Sequence, residues 1–259
     1  MASKPSSFSE LIHRKVKDVE LVDPSSDYAL NEVHRDITGG AVRAAVFGIS
    51  DGLISNTSLI LGVAGAHPSA GLVRLAGLAG LVGGACSMAI GEFISMSAQR
   101  ELYEREMEIE AAEIKGRPEW ESKELARIYE SRGVPRDIAE QFAAHMMVDP
   151  EIALATHAKE ELGIDPNSLG SPNQAAVSSL FSFALGAIIP LTPWFFTTGD
   201  AGIFISILVS VIASVVIGVG LAWATGRSII RTVGRQVLLS AAAAGITFTI
   251  GRLVGFSAG

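Results

Sequence analysis

Two carboxylates stand where a bilayer would be hostile to them. Asp51 sits inside the mostly apolar or small run GISDGLISNTSLILG (48–62), and Glu92 inside GGACSMAIGEFISMS (83–97). A charge near the bilayer centre costs roughly 2.5–3.5 kcal/mol on insertion scales, so such residues usually face a cavity and have a function there. Helical spacing places Asp51, Ser55, Ser58 and Gly62 on one face, and Met88, Glu92, Ser95 and Gln99 on another. If the two faces meet, they line a polar path holding two carboxylates and one thioether. Oxygen ligands alone suit Mg²⁺ or Ca²⁺, whereas a thioether favours a softer transition-metal ion. A proton competes with a metal ion for a desolvated carboxylate. Exchange of protons for metal is therefore the natural hypothesis for Asp51 and Glu92.

The pattern continues beyond the apolar run. Counting by fours and threes from Gln99 reaches Glu106, Glu110 and Glu113; Glu121 and Glu124 follow three apart, and His157 and Glu161 four apart. Each pair shares one helix face, the geometry two ligands need to hold one ion. The plain alternative is a solvated acidic helix balanced by Arg100, Arg105, Lys115 and Lys123. Paired glutamates also build ferritin-like di-iron centres, but those use Glu-x-x-His on two helices. No Glu in 98–170 has a His three residues later, and no Gly-rich phosphate loop followed by Lys supplies an ATP motor. Transport would have to run on a gradient.

Five stretches are long and apolar enough to position these groups across a bilayer: 41–65, 72–96, 175–196, 201–224 and 236–256. The expected fold is an all-α integral membrane protein of five transmembrane helices with an inserted helical metal-binding domain. Its parts are a polar segment 1–40, helices one and two in 41–97, the acidic domain 98–170 and helices three to five in 171–259. The acidic domain carries seventeen Asp and Glu against nine Lys and Arg between Ser97 and Gly170. The net charge of −7 gathered there argues against a nucleic-acid partner. Cys86 is the lone cysteine, which excludes a disulfide framework and a cysteine-based metal site. Arg35 and Arg43 flank the first span, and Arg227, Arg231 and Arg235 lie between the fourth and fifth, while HPSAG and TTGDAG have no Lys or Arg. The positive-inside rule then places the amino terminus and the acidic domain in the cytoplasm and the carboxyl terminus outside.

Finer expectations follow from punctuation. Gly77, Gly80, Gly84 and Gly91 recur at helical spacing and would let helix backbones approach closely in lipid. Pro190 and Pro193 should kink or end the third span near the outer surface, with Trp194 as an interfacial anchor. The second span should run on without a break to Gly116. Three shorter helices should follow, from Pro118 to about Gly133, across PRDIAEQFAAHMMV, and from a cap at Asp149 with Pro150 in the first turn. The segment 7–21 places Phe8, Leu11, Ile12, Val16 and Val19 near one face and should lie on the membrane surface.

RAAVFGISDGLISNTSLILGVAGA and GLAGLVGGACSMAIGEFISMSAQRE together resemble the vacuolar iron transporter family, and the likeness extends through EELGIDP and GAIIPLTPWFF. The resemblance implies a homodimer with its ion path between the two first spans, and proton-driven export of Fe²⁺ or Mn²⁺ from the cytosol, with Zn²⁺ a further cargo and no prosthetic group. It assigns the path to Asp51, Met88 and Glu92, with Ser55 and Ser58 on the same face as Asp51. It assigns metal ligation in the acidic domain to Glu110, Glu113, Glu121, Glu124 and Glu161, beside Glu106 on the shared face. His157 stands where plant members carry Met, which shifts that site toward imidazole. The wording HAKEELGIDP is bacterial in flavour, implying a bacterial inner membrane rather than a vacuolar one. Two rivals remain at this stage. A membrane-anchored ferritin-like oxidase of Fe²⁺ would consume oxygen, and a membrane-anchored metal sensor would show no flux.

Overall fold

The computed structural model describes residues 40–163 and 170–257, and all regular structure among them is helical. The surface helix expected in 7–21 lies outside the described residues. Helices α1 (Gly40–Gly65), α2 (Ala70–Gly116), α6 (Pro172–Leu191), α7 (Gly199–Thr225) and α8 (Ile229–Ser257) contain the five stretches long and apolar enough to cross a membrane. Between α2 and α6 come α3 (Pro118–Ser131), α4 (Arg136–Met146) and α5 (Pro150–Glu160). At 47 residues, α2 is about 70 Å long, twice the ~30 Å of a hydrocarbon core, so its charged half has to project beyond it.

Helix α1 is the hub against which α6, α8, α2 and α7 pack. Lipid offers no hydrophobic drive for helix association, so close van der Waals approach must supply it. At the α1–α6 crossing a Cβ on Gly186 would stand 2.8 Å from the Leu53 amide nitrogen, and one on Gly52 2.8 Å from the Phe183 carbonyl carbon. Neither position has room for a side chain. Of the glycines spaced along α2, Gly77 meets Leu191 and Ile60, Gly80 meets Leu59 and Asn56, and Gly84 meets the Phe183 ring. Gly91 has nothing within 4 Å, so the packing stripe stops before it.

Helix α7 buries a stripe of six small residues spaced four apart, Gly202, Ser206, Ser210, Ser214, Gly218 and Ala222. Its hydroxyls are used: Ser210 and Thr57 lie 3.0 Å apart, and Ser206 donates to the Pro190 carbonyl at 2.8 Å. Pro190 lies in the last turn of α6, where backbone carbonyls run out of intrahelical donors. The chain turns into a 3-10 segment, Thr192–Phe195, so α6 ends where its prolines indicate. Trp194 departs from expectation. It is buried with Ile60, Ala64, Val73 and Leu191 instead of anchoring at an interface, because Gly202 leaves space for its ring. Phe196, 83 % exposed, and Trp223, 80 % exposed, are the most exposed large aromatics among the described residues.

The acidic segment has a small core of its own. Leu125 and Ala126 of α3 pack on Ala139 and Ala143 of α4, and Tyr129 meets Phe142 edge-on at 5.0 Å. Asp149 caps α5 by accepting from the Glu151 amide at 2.8 Å. Glu160 ties α5 to α3 by accepting from Tyr129 Oη at 3.2 Å and pairing with Arg132.

Candidate functional site

The carboxylates of the acidic segment converge because the chain reverses where α2 meets α3. Pro118 cannot continue a hydrogen-bonded helix from α2. Arg117 takes φ −141°, ψ 51°, and its amide closes α2 onto the Glu113 carbonyl at 2.7 Å. Glu121, in the first turn of α3, thereby comes near Glu110, one and a half turns before the end of α2. Helix α5 then brings His157 and Glu161. His157 Nδ1 lies 3.0 Å from Glu110 Oε1, 3.6 Å from Glu161 Oε2 and 4.0 Å from Glu121 Oε2. His157 is fully buried, and Glu110 and Glu121 are 4 % exposed.

Glu110 Oε1 and both ring nitrogens of His157 lack a hydrogen-bond partner. Leaving a buried polar atom unpaired costs about 1–3 kcal/mol, more for a charged group. An imidazole lone pair facing a carboxylate oxygen at this range repels it unless a cation or a proton lies between them. Burial first, and then the charges of Glu161, Glu121, Glu113 and Glu124, push the Glu110 carboxyl up to about 7. Glu121 is also raised, by burial first and then by Glu124, Glu113 and Glu161. Ligand atoms of Glu110, His157 and Glu161 lie within 4.8 Å of one another, close enough to share one metal ion. One nitrogen with several carboxylate oxygens suits a first-row divalent ion better than Ca²⁺ or Mg²⁺. Glu113 is exposed and Glu124 half-buried, at the rim of the cluster. Glu106, one turn before Glu110, is outside the converging trio.

A second polar feature lies within the spans. A cleft of about 330 Å³ between α1, α2 and α6 is lined by Asp51, Ser55, Asn56, Gly80, Met88 and Phe183, among others. The expected meeting of Asp51 with Met88 is there. Ser55 lines it too, although its hydroxyl donates to the Asp51 carbonyl at 2.5 Å. Ser58 does not line the cleft; it is buried and its hydroxyl has no partner. Glu92, one turn from Met88, is outside the lining and pairs with Arg43 of α1. Face counting singled out neither Arg43 nor Asn56. Asn56 is one residue, about 100°, round the helix from Ser55, and only the approach of α2 and α6 brings it to the cleft.

A bundle of five apolar helices, one of them extended into a buried carboxylate–imidazole cluster whose ligand atoms lie close enough to share a metal ion, defines a multi-pass membrane protein. The chain belongs to the VIT family, whose model matches residues 42–252. A vacuolar iron transporter of Centaurea cyanus is 28 % identical over 230 residues, covering 88 % of this chain and 94 % of its own length. One from Acanthamoeba castellanii is 35 % identical over 178 residues, covering 68 % and 63 %. Vacuolar iron transporter 1 of Arabidopsis thaliana is 28 % identical over 218 residues, covering 83 % and 87 %. These relatives are named as transporters, not as enzymes.

Proposed function

We propose that the chain exports divalent transition metal, Fe²⁺ or Mn²⁺, from the cytosol in exchange for protons, and that it does so as a homodimer with the path between the two first spans. The observation that carries this reading is the set of buried, unpartnered atoms on Glu110 and His157. They belong to the same helix system that carries Met88 to the cleft opposite Asp51. In this reading the acidic segment is cytoplasmic and captures ions at Glu110, Glu121, His157 and Glu161, with Glu113 and Glu124 drawing them in. Asp51 and Met88 receive the ion within the bilayer. Glu92, paired with Arg43 at the neighbouring turn, stands at the approach to them.

Proton coupling has a physical basis in the cluster. A Glu110 carboxyl that titrates near 7 exchanges a proton for a metal ion close to cytosolic pH. In a bacterium the membrane crossed is the inner one, and in a cell with a vacuole it is the vacuolar one; in both, cargo leaves the cytosol. The relatives' names support iron, and the mixed nitrogen–oxygen donor set supports Mn²⁺ and Zn²⁺ as further cargo. The test is a liposome flux assay comparing Fe²⁺, Mn²⁺, Zn²⁺ and Ca²⁺ with and without a pH gradient. Uptake of Fe²⁺ or Mn²⁺ with counter-movement of protons, and exclusion of Ca²⁺, is the expected result. Metal-dependent oxygen consumption without flux would mark an oxidase instead.

A further inference from the structure

Asn56 is 1 % exposed, in the middle of α1, and its side chain is held at one end only. Its Nδ2 donates to the Ala187 carbonyl of α6 at 2.6 Å, while its Oδ1 has no partner. The orientation is set by chemistry, since a backbone carbonyl can only accept and the amide must turn its nitrogen toward it. The oxygen is therefore turned away from α6, and Asn56 lines the cleft together with Asp51 and Met88. Gly80 of α2 leaves room for that oxygen at the helix contact, for a Cβ there would stand 2.7 Å from Oδ1. An amide oxygen stripped of water and left without a donor is a ready ligand for a cation.

We propose that the Asn56 side-chain oxygen is a ligand for the ion in the membrane cleft, completing with Asp51 and Met88 a mixed oxygen–sulfur site. This rests on the reading of the cleft as the transport path. A carboxylate, an amide oxygen and a thioether together suit a first-row transition ion. The hydrogen bond to Ala187 fixes the oxygen in place, so little ordering is needed when the ion arrives. Ala187 itself is fully buried on α6, which makes the anchor rigid.

The test uses the full-length chain and two readouts, Mn²⁺ and Fe²⁺ flux in proteoliposomes and Mn²⁺ binding in detergent followed by the EPR signal of the free ion. Asn56→Leu keeps the volume and removes the oxygen; KM should rise about tenfold or more and one Mn²⁺ site should weaken to match. Asn56→Asp keeps an oxygen and loses the N–H; its KM should stay at or below the wild-type value. A purely structural role would impair both variants alike, so equal loss in the two overturns the proposal, as does an unchanged KM in Asn56→Leu. Should Asn56→Leu fail to fold, Asn56→Asp decides: weakened Mn²⁺ binding in that variant refutes the ligand role. Asp51→Ala separates the two layers of inference. If that variant transports normally, the cleft is not the path; if it is inactive while Asn56→Leu is normal, the path stands and only the Asn56 ligand fails.

Discussion

His157 Nδ1 and Glu110 Oε1 face each other at 3.0 Å, both buried and neither with a hydrogen-bond partner. The pair joins α5 to the outer end of α2, helices that the sequence separates by α3 and α4. A contact of this kind is relieved by a proton held between the two groups or by a divalent ion bound there, and the proposed function assigns it the ion.

Removing either member should expose this. Glu110→Gln and His157→Gln should each weaken Mn²⁺ binding by the full-length chain by about tenfold or more, measured by EPR of the free ion. Glu110→Gln should at the same time raise the melting temperature of the metal-free protein, because it deletes one charge from a crowded group. Unchanged affinity in both variants would place the captured ion elsewhere.

The raised Glu110 carboxyl also sets a pH dependence. Its ordinary value is 4.5 and its folded value about 7, so across that window the folded protein binds more protons than the unfolded chain. Metal-free stability from this group therefore falls as pH rises from 4.5 to 7, and is fully lost above 7. A bound ion reverses the loss. The rise in melting temperature on adding Mn²⁺ should be larger at pH 8 than at pH 6, and Glu110→Gln should flatten that difference. Glu160, which the Arg132 hydrogen bond holds below its ordinary value, titrates in the opposite sense. Comparing wild type with Glu110→Gln cancels its contribution.

In the cleft, Asp51→Ala should abolish metal-driven proton movement in proteoliposomes while the variant stays folded and monodisperse. Binding of Mn²⁺ at the carboxylate–imidazole cluster should survive, because Glu110 lies about 33 Å further along α2 than Met88, which lines the cleft with Asp51. Full exchange activity in that variant would remove Asp51 from the path.

The close approach of α1 and α6 can be probed through its effect on stability. Gly186→Ala puts a methyl group 2.8 Å from the Leu53 amide nitrogen, and overpacking of this kind costs about 1–3 kcal/mol. Gly245→Ala, in α8 with nothing within 4 Å, should be neutral or slightly stabilising. Thermal denaturation in detergent compares the two, and equal effects would contradict the close α1–α6 contact.

The sequence by itself determined the elements. Apolar runs of spanning length, the proline and glycine stops at Gly116, Pro118 and Gly133, and the Asp149 cap are local signals, and the helices follow them. It also determined that Asp51 and Met88 belong to polar spots on adjacent spans, since helical spacing keeps a face intact over several turns. What lies across a helix–helix contact was decided by tertiary structure alone. The i, i+3 and i, i+4 counts carried Ser58 onto the Asp51 face, yet Ser58 is buried and does not line the cleft; they placed Glu92 on the path, where it pairs with Arg43 of α1. They also kept Glu106 beside Glu110, although only the turn at Arg117 and the return of α5 select which carboxylates converge. Trp194 was buried against the glycine opposite it, and the Asn56 amide was oriented by a carbonyl on α6. Periodicity describes one helix at a time. Which atoms lose water, and which are left without a partner, depends on the second helix.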